Sequence, residues 1–491
     1  MHTSTKLLRL VTIIAACTQF VTAQAADKPL PDEEAFTFIT WSKEKAEGYR
    51  GTFTVPENRQ REDSRDITLH YVRFPATANP DGPPIVYLAG GPGGSGISAV
   101  NYRYGMFMAL RQFGDVIALD QRGTGKSNDL PECQSKETVP PLKPVSDSDY
   151  IAYHRRALRE CLSFWRAQGV DLAGYNTEEN ARDLQALRRH LGAEKIALWG
   201  TSYGSHLALA ALKQMPNNID RVVLSSVEGL DQTIKLPTRT DTYFQRLQAA
   251  VDQQPTAKAA YPDIDALVRR VHRKLEQNPV RIQIPQRDGH MAETLLRRRD
   301  MQLVASGLIT DPKSAAGLLK IYRDLDRGES PTLDAVPRRY YPDEFLHPGS
   351  PITLYPMPTA MDIASGISDE RRARVAREAG TALLKDFLNF SYFYDGMAPE
   401  LDLGDDFRNR PHGNVPLLLL SGTLDGRTYL ESQREAVADL ENVTAITVEN
   451  AGHNLFMASS EIQDVIDQFM QGRPIRKKVI RIELPNMAPA G

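Results

Sequence analysis

The chain has 491 residues, with 59 basic against 62 acidic side chains, a net charge of -3 and a hydrophobic content of 41%. That length and apolar fraction can bury a large core and exceed what one domain usually holds, so one main domain with a large insertion is expected. The balanced charge gives no electrostatic basis for nucleic acid as a partner, and the basic run at 473–478 reads as a solvated face.

At the start of the chain, Lys6 and Arg9 precede the apolar run 10–16, and Ala23-Gln-Ala25 offers a small-residue cleavage site. Residues 1–25 therefore read as an export signal, with the mature chain starting near Ala26 in the periplasm or outside the cell. The apolar run is too short for a spanning helix, which needs about 20 residues, so no stable membrane span is expected. Ile14-Ala-Ala-Cys17 also resembles a lipoprotein processing site, which would anchor the chain through Cys17 but leaves a very short apolar region after Arg9. Removal of Cys17 with the signal leaves Cys133 and Cys161. A disulfide between them fits an oxidising compartment, and two separate buried thiols fit the sequence as well. Neither has the histidine neighbourhood of a thiol nucleophile or a zinc site.

Short apolar runs at 85–89, 116–119, 196–199, 222–224, 417–420 and 445–448 recur with helical segments between them. This alternation predicts an α/β fold, a mostly parallel sheet with helices on both faces. The more alternating stretches 51–55 and 67–74 predict an antiparallel edge hairpin. A connecting helix is expected with Thr177 as N-cap, Glu178 and Glu179 in its first turn and Gly192 past its end. Residues 231–410 lack the strand rhythm. Asp311-Pro312 and Ser368-Asp-Glu-Arg371 are helix openings, and the prolines between 331 and 358 suggest a loop region between helices. The segment is expected to be a mainly helical cap over the sheet, dividing the core into residues 26–230 and 411–491.

Gly200-Thr-Ser-Tyr-Gly204, between the run 196–199 and the helix-forming run 206–212, has the pattern of a nucleophile elbow, with Ser202 exposed on the turn. A serine hydroxyl needs a base within hydrogen-bond reach, and that base needs an acid to orient it. His453 follows the last apolar strand, where a loop would present it above the sheet edge; His206 sits on the elbow helix and reads as packed. Asp425 leaves the end of the strand at 417–420, with Glu449 as an alternative acid. The order Ser202, Asp425, His453 is that expected of an α/β-hydrolase. Oxyanion donors are expected from the backbone N–H of Tyr203 and from the turn Gly90-Gly-Pro-Gly-Gly94, chiefly Gly91. That turn lacks both a Walker lysine and the G-x-G-x-x-G register, so nucleotide is discounted; no cofactor or metal is required.

Leu88-Ala-Gly-Gly-Pro-Gly93, Asp120-Gln-Arg-Gly-Thr-Gly-Lys-Ser127 and Gly200-Thr-Ser-Tyr-Gly204 together resemble the α/β-hydrolase serine aminopeptidases, the prolyl iminopeptidases and secreted tripeptidyl aminopeptidases. The resemblance spans roughly 50–230 and 411–470. The first motif usually begins with histidine in that family, where this chain has Ala89. Asp120 and Arg122 look like the family's buried pair beneath the loop, in a structural role. The resemblance implies an exported serine exopeptidase acting on short peptides through an acyl-enzyme. Recognition of a free ammonium calls for carboxylates under a cap. Glu228 is one candidate and Asp362 another, since Thr359-Ala-Met-Asp362 resembles a segment of the secreted members. An esterase or amidase with the same triad, and a non-catalytic binding protein on the same scaffold, are the alternatives. Epoxide hydrolases and dehalogenases are disfavoured because those members carry aspartate at the position of Ser202. Oligomeric state is not legible.

Overall fold

A computed structural model describes residues 29–127, 130–286, 288–331 and 343–489. The expected export signal with Cys17, and the middle of the proline-rich stretch, lie outside the described residues.

The sheet has ten strands: β1 (Glu34–Ile39), β2 (Lys45–Pro56), β3 (Asp66–Phe74), β4 (Ile85–Leu88), β5 (Val116–Leu119), β6 (Ile196–Ser202), β7 (Ile219–Val227), β8 (Leu417–Gly422), β9 (Val443–Glu449) and β10 (Val479–Arg481). Their spatial order is β1-β2-β3-β5-β4-β6-β7-β8-β9-β10. The first three are antiparallel, with β3 antiparallel to β5, and every pair from β5 to β10 is parallel. β4, β5 and β8 are buried at every position, as strands covered on both faces must be. β2, paired on both sides by β1 and β3, alternates buried and exposed residues, as a strand with one wet face does, so the expected hairpin is not itself the sheet edge. β1 and β10 are mostly solvated and carry no continuous apolar run, so the sequence does not mark them as strands.

β4 lies between β5 and β6, so the chain leaves it to one side and later returns on the other. Connections after β4 and β6 therefore diverge, opening a crevice beyond their carboxyl ends where ligands bind in such sheets. Both glycine motifs fall there.

Between β7 and β8 the expected cap is built chiefly of helices, including Pro237–Val251, Ile264–Gln277, Arg298–Leu308, Pro312–Arg327 and Asp369–Ala379. In Ile264–Gln277 the buried residues Ile264, Leu267, Val268, Val271 and Leu275 recur at helical spacing and form one face. They join Leu247, Val304, Leu308, Leu318 and Tyr322 in an apolar core distinct from the two flanking the sheet. Two features depart from expectation. The cap also holds an antiparallel hairpin, Val280–Pro285 with Met291–Leu296. And the far end of the proline stretch is a helix, Pro356–Ser365, because proline at a first helical position forfeits no intrahelical bond.

The helix Thr177–His190 is capped by Asn176 rather than Thr177: Asn176 is extended and its side chain accepts the Glu179 N–H at 2.9 Å. Thr177 is already helical, and its hydroxyl meets the Tyr203 hydroxyl at 3.2 Å. Cys133 and Cys161 form a disulfide that ties a short bridge strand to the helix Asp147–Ala167.

Candidate active site

Ser202 ends β6 and precedes the helix Tyr203–Gln214 with φ 54° and ψ -130°, a left-handed conformation rare for a residue with a side chain. The turn is that sharp because the elbow helix packs on β4 at backbone contact. A Cβ on Gly204 would sit 2.0 Å from the Leu88 carbonyl oxygen, and one on Gly200 would sit 2.7 Å from the Gly204 oxygen. Glycine is required at both positions by space.

Asp425 lies just past β8, fully buried, and His453 just past β9. The two strands are adjacent and parallel, so their carboxyl ends deliver both residues to one rim. His453 Nδ1 is 3.1 and 3.0 Å from the two carboxylate oxygens of Asp425. The carboxylate also accepts the N–H groups of Arg427 at 2.8 Å and Thr428 at 2.9 Å, and the Thr428 hydroxyl at 2.7 Å. Burial by itself would raise this carboxyl's pKa, but the facing imidazole and the Thr428 donors bring it below the ordinary value. His453 is anchored on both sides of its backbone: its N–H donates to the Thr310 carbonyl of the cap at 2.8 Å, and its carbonyl accepts the Ser226 hydroxyl at 2.7 Å. Such a pair presents Nε2 as the free ring nitrogen. The alternatives lie elsewhere. His206 is fully buried, its Nδ1 3.2 Å from the Gly229 carbonyl, and Glu449 pairs with Arg481 at the surface.

The glycine turn lies against the elbow, for a Cβ on Gly90 would come within 3.0 Å of the Ser202 Cβ. Tyr203 opens the elbow helix, where the first backbone N–H groups have no intrahelical acceptor. Asp120 and Arg122 are not one unit. The Asp120 carboxylate braces the turn, accepting from the Ser95 hydroxyl at 2.5 Å and from the N–H groups of Ile97 at 3.0 Å and Lys126 at 2.8 Å. Arg122 points the other way and pairs with Asp183 through two bonds of 2.6 and 2.8 Å. A third residue supports the turn: Gln121 donates to the Ala89 carbonyl at 3.1 Å and accepts from Asn180 at 2.8 Å. Ala89 itself offers no side-chain hydrogen bond.

Ser202, His453, Gly91 and Asp362 open onto one cavity of about 1030 Å³, roofed by the cap. Asp362 reaches it from the helix Pro356–Ser365. Burial and the negative charge of Glu228, against the pull of Lys235 and Arg427, raise the Asp362 carboxyl to about 7. Glu228 is not among the residues that line the cavity; its carboxylate pairs with Lys235 at 2.6 Å. Burial would raise its pKa, but Lys235 and His206 bring it below the usual value. Arg103, Arg427 and Asn454 also line the cavity and escaped the sequence reading. Asn454 stands beside His453 and Arg427 two residues past Asp425, but Arg103 lies on a helix with no motif around it.

Residues 83–288 match a family model described as alpha/beta hydrolase fold, and residues 404–475 match one described as TAP-like protein. The fold is that of the α/β hydrolases. The chain is 27% identical over 222 residues to a tripeptidyl aminopeptidase of Streptomyces lividans, which covers 43% of this chain and 40% of that protein. It is 29% identical over 184 residues to serine protease Hip1 of Mycobacterium tuberculosis, covering 35% of each. A probable proline iminopeptidase of Streptomyces coelicolor matches at 29% over 171 residues, 35% of this chain and 41% of that one. The chain thus spans well under half the length of these curated relatives. Among solved structures it is similar to an epoxide hydrolase from an endophytic Streptomyces, with TM-score 0.38 and 14% identity over 92% of this chain and 98% of that one. No helix among the described residues is long and apolar enough to cross a membrane.

Proposed function

We propose that the protein is a serine peptidase that releases N-terminal residues from short peptides. The observation that carries this reading is the junction, in one capped cavity, of the strained Ser202, the Asp425-oriented His453 and the cap carboxylate of Asp362. Ser202 Oγ attacks the scissile carbonyl while its proton passes to His453 Nε2. The oxyanion is held by the N–H groups of Gly91 and Tyr203, and the imidazolium is stabilised by Asp425. His453 then gives its proton to the leaving amine, and the C–N bond breaks to leave an acyl-enzyme. Water, deprotonated by the same imidazole, releases the acid.

Asp362 receives the substrate ammonium, and Glu228, neutralised by Lys235, does not. Recognition requires an ionised carboxylate and a protonated amine. Accordingly kcat/KM for free-amine peptides rises as pH passes about 7 and falls as the α-amine deprotonates near roughly 8. Comparison of a free-amine aminoacyl amide with its N-acetyl form tests the assignment. The free amine should be preferred, and Asp362→Asn should reduce that preference by about tenfold to a hundredfold. Equal turnover of the two substrates would favour an esterase or amidase. Asp362 also has a stability signature. Between about pH 4 and 7 the native state holds a proton that the unfolded chain has lost, so stability falls as pH rises. Asp362→Asn should therefore melt at a higher temperature than the unmodified protein at pH 8.

The disulfide Cys133–Cys161 supports export, since such bonds persist in oxidising compartments. The reading places the mature protein in the periplasm or outside the cell, beginning at Ala26. Intact-mass analysis of protein from a native secreting host should give that N-terminus, whereas a lipid adduct on Cys17 would make it an anchored lipoprotein.

A further inference from the structure

Buried arginines in this fold are matched by carboxylates: Arg73 by Glu33 and Asp115, Arg122 by Asp183, Arg299 by Asp147. Arg103 is not. It lies on the helix Gly96–Leu110 that follows the glycine turn, at the point where that helix leaves α geometry. Its residue is 5% exposed and it lines the cavity that holds Ser202. One guanidinium nitrogen donates to Asn454 Oδ1 at 3.3 Å, while Nε is buried with no hydrogen-bond partner. The rings of Tyr87, Tyr102 and Phe456 surround the guanidinium carbon at 5.9, 5.6 and 5.6 Å. Among the described residues no carboxylate pairs with it. Aromatic faces offset part of the cost of desolvating a cation, but a cavity-lining guanidinium with no carboxylate beside it keeps a charge that an anion arriving in the cavity would match.

The position of Arg103 selects the anion. Its partner Asn454 is the residue after His453, and it is His453 that hands its proton to the departing amine. Arg103 therefore borders the side of the cavity that takes the leaving fragment, while Asp362 serves the acyl side. A peptide residue spans about 3.5 Å, so a leaving fragment of one or two residues ends close to the histidine that released it, and it ends in a carboxylate. We propose that Arg103 binds the C-terminal carboxylate of the substrate. With Asp362 on the amine, this restricts the protein to short peptides with both termini free. The inference rests on the peptidase reading for its choice of ligand.

Binding, rather than turnover, separates the two. In Ser202→Ala protein, calorimetry should give Ala-Ala-Ala an affinity about tenfold to a hundredfold above that of its C-terminal amide, the effect of one charge-assisted contact in a buried site. Adding Arg103→Gln should bring the ratio close to one, and Arg103→Lys should restore part of it. Melting curves of each variant verify that the fold is kept. Equal affinities of acid and amide, no binding of either, or a ratio that survives Arg103→Gln would overturn the proposal. An acid preference in the Ser202→Ala protein, alongside no peptide turnover by the unmodified protein, would keep the Arg103 site and defeat the peptidase reading.

Discussion

Ser202→Ala is expected to lower kcat by about a million-fold on any substrate the protein cleaves, with little change in melting temperature. The size of the effect follows from the chemistry: without Oγ there is no covalent intermediate, and what remains is the acceleration from binding and the oxyanion donors alone. The strain at φ 54° makes the variant informative, since alanine occupies the same backbone and removes one oxygen atom. A fluorophosphonate probe should label the unmodified protein once and the variant not at all. Persistent labelling of Ser202→Ala would place the nucleophile elsewhere.

Asp425→Asn is expected to lower kcat by about ten-thousand-fold while the His453 ring stays in place. An asparagine amide would donate to Nδ1 where the carboxylate accepts from it. The imidazole would then hold its proton on Nε2 and could not take one from Ser202. The surroundings enforce this, because the N–H groups of Arg427 and Thr428 demand an acceptor and would fix the amide oxygen toward themselves. Activity near that of the unmodified protein would remove Asp425 from the relay. The same carboxylate links activity to acid stability. Its folded pKa is depressed, so its stabilisation is present above the unfolded value near roughly 3.9 and is lost as pH falls through the lower folded value. In Asp425→Asn that portion of the acid unfolding curve should disappear.

The contrast between Asp362 and Glu228 shows where local reading stops. Both were legible as candidate carboxylates, Glu228 just past a core strand and Asp362 within the cap, and nothing along the chain says which of them faces the substrate. In space Lys235 neutralises one and the cavity receives the other. Arg103 marks the same boundary from the opposite direction. No motif surrounds it, and its interest comes from what is missing beside it, a property of three-dimensional neighbours. Asp120 and Arg122 illustrate a subtler loss. The family resemblance made them look like one buried pair, but the carboxylate accepts from the start of the helix after the glycine loop while the guanidinium turns to Asp183.

What the sequence determined by itself was the sheet strands from β2 to β9 and the elbow. Strands buried on both faces, as β4, β5 and β8 are, must be continuous apolar runs, and a backbone forced into contact at Gly200 and Gly204 admits no side chain; both constraints act within a few residues and so are written locally. The positions of Ser202, Asp425 and His453 at the ends of β6, β8 and β9 were legible for the same reason. Only the tertiary structure decided the 3.0 Å contact of His453 with Asp425, the bracing of the glycine turn by Asp120 and Gln121, and the charges that face the cavity. Those depend on strand order and on how the cap settles over the sheet. Residues far apart in the chain meet there, and a side chain's partner, burial and charge state are fixed by that meeting.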